Sequence, residues 1–132
     1  MKKILIVCSG NSCRSIIAEA LVNHFLKGYE AQSCGANPLG KVNPNAKKVL
    51  EDFGIWDERY HSKHIDDFDL KRFDLVVSVC DNAKESCVVL PDVRHLHYGF
   101  EDPDGKEIEA FYKTLQEIKQ QLLPAIQKEC EK

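Results

Sequence analysis

Residues 3–15 read KILIVCSGNSCRS, an uninterrupted apolar run followed by a short polar loop. The run at residues 3–7 shows no alternation of apolar and polar side chains. Such a run is typical of a strand that is covered on both faces of a sheet. From Ser15 to Lys27 apolar side chains recur with helical spacing. The stretch therefore predicts a strand, a tight loop and a helix in direct succession.

The alternation of strand and helix continues along the chain. Asp104 and Glu107 have the spacing of a capping box at the start of the last helix, and Pro124 should end or kink that helix. This order predicts an α/β fold with an open parallel sheet, helices on both faces and one domain over residues 1–132. The remaining elements are expected as strands at 30–33, 74–79 and 93–97, a helix at 43–53, and a short helical segment or loop at 81–86.

Composition excludes several classes of function. The chain has 132 residues, 43% of them hydrophobic, and its 18 basic and 21 acidic residues give a net charge of -3. A weakly acidic chain argues against nucleic-acid binding. No apolar run approaches the roughly 18 residues of a membrane span, and the N-terminus lacks the pattern of a secretory signal. We therefore expect a cytoplasmic monomer, in which six cysteines point to redox, catalytic or metal chemistry rather than a disulfide framework.

The polar loop has the pattern Cys-x5-Arg-Ser and suits an oxyanion. A loop that enters a helix directs backbone N–H groups at one spot, where the helix dipole also favours an anion. The planar guanidinium of Arg14 can hold two anion oxygens, and the same groups would stabilise a Cys8 thiolate. Gly10 permits backbone conformations that are closed to other residues. The expected anion-binding residues are Ser9, Gly10, Asn11, Ser12, Cys13, Arg14 and Ser15.

This loop resembles that of the low-molecular-weight protein tyrosine phosphatases and of the arsenate reductases that share their fold. The resemblance extends through Ala18-Glu19, Ser33-Cys34-Gly35, Val42-Asn43-Pro44, residues 74–77 and residues 98–103. It implies a four-stranded parallel sheet flanked by helices, Cys8 as the nucleophile and Asp102 of the Asp-Pro pair as the general acid. The alternative interpretation of Asp102 is a turn residue or a helix cap.

Two further cysteines distinguish the branches of this family. Cys80 follows the strand predicted at 74–79, and Cys87 lies seven residues later. This arrangement is similar to the thioredoxin-coupled arsenate reductases and implies a relay from Cys8 to Cys80 to Cys87. Seven residues of helix rise about 10.5 Å, whereas a disulfide needs Cα atoms roughly 4.4–6.8 Å apart, so the segment between them would have to unwind. The plain alternative is that both are small buried side chains.

The sequence thus favours an arsenate reductase that takes electrons from thioredoxin, with glutaredoxin as the alternative reductant. Asp104-Gly105 follows the Asp-Pro pair, as in the reductases, where phosphatases of this fold usually have tyrosines. A phosphatase that forms a Cys8 phosphoenzyme is the second interpretation, and an anion-binding or metal-binding module is the third.

No tightly bound cofactor or metal is expected, and the roles of Cys34 and Cys130 stay open. Asn11, Glu19 and Ser33 match a potassium site of some relatives. In those relatives a carboxylate completes the potassium site. The matching position in this chain falls near His64, so Asp66 or Asp67 would have to supply the carboxylate.

Overall fold

A computed structural model describes residues 1–81 and 93–131 of the protein. Its centre is one sheet whose strands run parallel in the order β2-β1-β3-β4. This arrangement confirms the predicted four-stranded parallel sheet. The strands are β1 (Lys2–Cys8), β2 (Tyr29–Gly35), β3 (Leu75–Ser78) and β4 (His95–His97).

The helices pack on one face of this sheet and form the main core with it. No helix within residues 1–81 and 93–131 is long and apolar enough to cross a membrane. The helical elements are α1 (Arg14–Phe25), α2 (Pro44–Asp52), α3 (Ile108–Glu117), a π-helical turn (Ile118–Leu122) and α4 (Leu123–Cys130).

β1 explains why its apolar run is uninterrupted. Ile4 and Ile6 belong to the core on the helical face, whereas Leu5 and Val7 belong to a second apolar cluster on the opposite face. In the described part of the chain, that second face is covered by side chains of a segment with two 3-10 turns, Ile65–Asp67 and Leu70–Arg72. Helical elements thus flank the sheet on both faces, as predicted, although within the described residues this second face has 3-10 turns rather than α-helices. Phe68 and Phe73 contribute apolar side chains to it.

The last helix differs from the prediction at its start, and its hydrogen-bond pattern changes just before Pro124. It begins at Ile108 with Glu107 as an N-cap that makes no side-chain capping bond. The prediction of a capping box from Asp104 and Glu107 is therefore wrong. The Asp104 carboxylate accepts a hydrogen bond from Asn43 instead. Helical structure also continues past Pro124 to Cys130. The π-helical turn lies directly before this proline, and such a turn is one way in which a helix accommodates an interrupted hydrogen-bond ladder.

The strand register brings the expected reactive positions to one edge of the sheet. Cys8 is the last residue of β1 and pairs with Gly35 on β2. On the other side Val7 pairs with Ser78, and the Val79 amide donates to the Val7 carbonyl at 2.9 Å. Cys80 therefore follows the residue that lies beside Cys8. Of the segment predicted at 81–86, only Asp81 lies within the described residues.

Candidate active site

The loop between β1 and α1 is held by its carbonyl groups. The segment at residues 37–43 runs beside it, and its amides donate to the carbonyls of Ser9, Gly10 and Ser12 at 2.9 Å each. Because these carbonyls face outward, the intervening peptide N–H groups are left to face the inside of the loop. An inward ring of N–H groups at the start of a helix is an anion-binding concavity.

The Arg14 side chain forms one wall of this concavity. Its side chain is only 2% exposed, and Nη1 donates to the Phe100 carbonyl at 3.0 Å. Its Nη2 atom lies 3.5 Å from Asp102 Oδ2. The carboxylate of Asp102 is 44% exposed, so it stands at the mouth while the guanidinium lies inside. A cation thus lies beside the loop, with a carboxylate at its mouth.

These groups surround a single cavity of about 290 Å³. A free thiol, that of Cys8, forms part of its wall and is 3% exposed. Leu39 is 59% exposed and lies at the rim. The lining residues are Cys8, Ser9, Gly10, Ser12, Cys13, Arg14, Asn37, Leu39, Asp102 and Asp104.

The strained position of the loop is Asn11 rather than Gly10. Asn11 has a φ of 46°, the left-handed region, whereas Gly10 has no positive φ. The conformational freedom that Gly10 permits is therefore not used for a positive φ. The physical reason lies in the Asn11 side chain, which is fully buried. Its Nδ2 donates to Ser15 Oγ at 2.7 Å and to Ser33 Oγ at 3.0 Å, while its Oδ1 accepts from the Lys63 amide at 2.7 Å. Three hydrogen bonds hold the side chain and fix the backbone with it.

A buried ion pair supports Asn11 from below. Ser33 Oγ donates to Glu19 Oε1 at 2.6 Å, and the Lys63 ammonium lies 3.9 Å from Glu19 Oε2. Burial raises the pKa of Glu19 above its ordinary value, and the Lys63 ammonium and the Ser33 hydroxyl oppose that rise. The buried carboxylate is therefore tied to the loop through Ser33 and Asn11.

The same pair bears on the potassium site that the resemblance suggested. The two oxygens of Glu19 already face a hydroxyl and an ammonium, and a second cation there would be repelled by Lys63. Asp66 and Asp67 contact His64 instead. Among residues 1–81 and 93–131, no group of three or more His, Cys, Asp or Glu side chains is placed to hold a metal ion. The described residues do not fit a potassium ion.

Comparison with known proteins agrees with this geometry. A family model described as low molecular weight phosphotyrosine protein phosphatase matches residues 3–132. The chain belongs to this family. It is 40% identical over 120 residues to an arsenate reductase of Staphylococcus aureus strain N315, covering 89% of this chain and 91% of that protein.

Solved structures show the same likeness. The crystal structure of an arsenate reductase from Archaeoglobus fulgidus matches with a TM-score of 0.84 and 33% identity, over 93% of this chain and 98% of that one. A thioredoxin-dependent arsenate reductase of Corynebacterium glutamicum matches with a TM-score of 0.72 and 25% identity, over 96% of this chain and 62% of that one. The family and the fold implied by the sequence resemblance are thus confirmed.

The remaining cysteines of this family member have different surroundings. Cys80 is 2% exposed and disulfide-bonded, whereas Cys8, Cys13, Cys34 and Cys130 are free. Burial raises the pKa of the Cys13 and Cys34 thiols to about 12, so both are protonated at neutral pH. Cys87, expected as the third cysteine of the relay, lies outside the described residues.

The structure brings together most of the loop residues named from the sequence, with Arg14 and Asp102, around one cavity. Sequence reasoning missed three residues that hold this arrangement. A Cβ on Gly35 would lie 2.6 Å from the Ser9 carbonyl oxygen, so β2 approaches the loop more closely than any side chain allows. Lys63 and Asn43 contact the loop across long stretches of chain. Gly35 and Asn43 lie in the Ser-Cys-Gly and Val-Asn-Pro segments that match the family. Nothing in the sequence around Lys63 pointed to a role in the loop.

Proposed function

We propose that this protein is an arsenate reductase that converts arsenate to arsenite through a relay of Cys8, Cys80 and Cys87. One observation carries the proposal: the Cys8 thiol, the Arg14 guanidinium and the Asp102 carboxylate share one cavity, beside which Cys80 follows the neighbouring strand. The relatives reported above are named arsenate reductases, and one is named thioredoxin-dependent. We also propose that residues 1–132 act as a single domain.

In the first step arsenate binds the loop as a tetrahedral oxyanion. The inward N–H groups of residues 9–14 and the fork of Arg14 take its oxygens. The Cys8 thiolate attacks arsenic, and Asp102 gives its proton to the oxygen that leaves as water. Ser15 Oγ accepts from Asn11, so its own hydrogen is available to donate to a thiolate in the loop. The product is a thioester of arsenic in the +5 state.

In the second step the arsenic is reduced. The Cys80 thiolate attacks the Cys8 sulfur, and the sulfur–arsenic bond breaks. Its electron pair stays on arsenic, which leaves as arsenite in the +3 state, while the two sulfurs are oxidised to a disulfide. Cys87 then attacks Cys80 and releases the Cys8 thiolate, so the disulfide moves to Cys80 and Cys87.

The sheet register supports the exchange between Cys8 and Cys80. β1 ends at Cys8, and Cys80 follows Val79, whose amide donates to the Val7 carbonyl, so both cysteines lie at the same edge of the sheet on adjacent strands. Adjacent strands lie about 4.8 Å apart, within the range of Cα separations that a disulfide spans. In the structure Cys80 is disulfide-bonded, whereas Cys8 is a free thiol.

Thioredoxin returns the disulfide to two thiols by thiol–disulfide exchange. Glutaredoxin is the alternative reductant. A phosphate ester could also react at Cys8, so phosphatase activity is expected as a side reaction. It would stop at hydrolysis, because thiols do not readily reduce phosphorus.

The proposal is tested by following NADPH oxidation with thioredoxin reductase, thioredoxin and the purified protein. Adding arsenate should start steady oxidation, and the Cys80→Ser variant should abolish it while retaining hydrolysis of p-nitrophenyl phosphate. The Cys34→Ser variant, which changes a buried thiol outside the relay, is the matched control and should keep both activities. Absence of arsenate-dependent oxidation with thioredoxin and with glutaredoxin, together with phosphate-ester hydrolysis, would select the phosphatase function instead.

A further inference from the structure

The loop that carries Asp102 is tied to the rest of the molecule through its neighbour Asp104. The Asp104 amide donates to Asp102 Oδ1 at 3.0 Å, while the Asp104 carboxylate accepts from Asn43 Nδ2 at 2.8 Å. The Asp102 side chain is 44% exposed, and a carboxylate without partners in this position would rotate about its side-chain bonds. The Asp104 amide and Arg14 hold one oxygen each.

Asn43 is itself fixed from two other directions. Its backbone amide donates to the Ser12 carbonyl of the anion loop at 2.9 Å. Its Oδ1 accepts from the Asn45 amide at 2.8 Å and so caps the start of α2. Because only the oxygen of the side-chain amide can accept that bond, the nitrogen must face Asp104. Asn43 therefore has one orientation, with its donor directed at the acid loop.

We propose that Asn43 is a positioning residue for the general acid, acting through Asp104. It fixes Asp104, whose amide then aims the Asp102 carboxylate at the mouth of the anion loop. The contacts form a closed ring. Asn43 bonds to Ser12 of the anion loop and to Asp104 of the acid loop. Arg14 of the anion loop pairs with Asp102 and so closes the ring. The inference rests on the proposed function, because it concerns the acid of that reaction.

Three variants separate this role from a structural one. Asn43→Ser keeps a good helix N-cap but is too short to reach Asp104. Asp104→Ala removes the acceptor from the other side, and Asp104→Asn keeps an oxygen that Asn43 can bond. Asn45→Ser changes an asparagine in the first turn of the same helix whose side chain is outside the ring, and it serves as the matched control.

Asn43→Ser and Asp104→Ala should each lower kcat for arsenate roughly three- to tenfold, the range of one ordinary hydrogen bond, with KM near the parent value. The Asn43→Ser/Asp104→Ala double variant should lose no more kcat than either single variant, because both substitutions remove the same hydrogen bond. Asn45→Ser should stay near the parent, and Asp104→Asn should retain more kcat than Asp104→Ala, because it keeps an acceptor for Asn43. In an Asp102→Asn background, Asn43→Ser should change kcat no further. An equal loss in that background would overturn the proposal, since Asn43 would then act on the loop or on α2.

A second readout does not depend on turnover. The ¹³C NMR signal of the Asp102 carboxyl carbon should shift in Asn43→Ser and Asp104→Ala and stay unchanged in Asn45→Ser. If the parent protein fails to reduce arsenate but this signal shifts, the proposed function is wrong and the positioning role holds. An unmoved signal in Asn43→Ser would overturn the positioning role, whatever the turnover of the parent.

Discussion

Lys63 and Glu19 form a largely buried ion pair beneath the anion loop, with Nζ 3.9 Å from Oε2 and side chains 13% and 5% exposed. The same lysine donates its backbone amide to Asn11, the residue with left-handed backbone geometry. Lys63 thus contacts both ends of the chain of hydrogen bonds from Glu19 through Ser33 to the loop. The conformation of the loop depends on charges that lie outside the cavity.

Removing the lysine charge should destabilise the fold. Lys63→Met leaves the Glu19 carboxylate buried without its cation, and we expect a loss of about 1–3 kcal/mol in the free energy of unfolding. Urea denaturation at neutral pH measures it. The same change in a Glu19→Gln background should cost much less, because no charge then needs a partner. An undiminished loss in that background would show that the ion pair is not the cause.

Glu19 should also give stability a recognisable dependence on pH. Because burial raises its pKa above the ordinary value of 4.5, the folded chain holds the proton over a range in which the unfolded chain has lost it. Folding stability from this group therefore falls as pH rises from about 4.5 through the folded pKa. The Glu19→Gln variant lacks this loss, so its stability relative to the parent should increase over that window and then level off. A relative stability that is constant from acid to neutral pH would contradict the shift.

Gly35 should tolerate no side chain. A Cβ there would lie 2.6 Å from the Ser9 carbonyl oxygen and 2.8 Å from that of Cys8, both backbone atoms. Gly35→Ala must displace the loop, and we expect a loss of about 1–3 kcal/mol in unfolding free energy with a strong fall in activity. Gly10→Ala is the control for stability, since the nearest atoms to its Cβ would all belong to side chains, Leu39 at 3.3 Å and Ser12 at 3.9 Å. Equal stability losses in the two variants would contradict the close approach.

The free thiols should differ in reactivity. Since the pKa of Cys13 and of Cys34 is raised to about 12, both should resist iodoacetamide in the folded protein at pH 8 and react only after denaturation. Cys8 should react first and be protected by phosphate, because it belongs to the wall of the anion cavity. Peptide mass spectrometry after alkylation locates the modified residues. Rapid labelling of Cys34 in the native protein would contradict its burial.

The sequence allowed the sheet and the loop to be predicted because both depend on neighbouring residues. The apolar run of β1, the Cys-x5-Arg-Ser spacing and the helix after it are local patterns. The sequence did not indicate which loop residue takes the left-handed conformation, since that depends on Ser33 and Lys63, which contact Asn11 from distant parts of the chain. The same holds for Asp104, whose bond to Asn43 replaces the expected helix cap.

The relay itself is tested most directly by a single turnover of the Cys87→Ser variant. The reduced variant is given one equivalent of arsenate, arsenite is measured, and disulfides are mapped by mass spectrometry without reduction. The account predicts about one equivalent of arsenite and a trapped disulfide between Cys8 and Cys80. Arsenite without that disulfide, or a disulfide that joins Cys8 to Cys13, would contradict the relay.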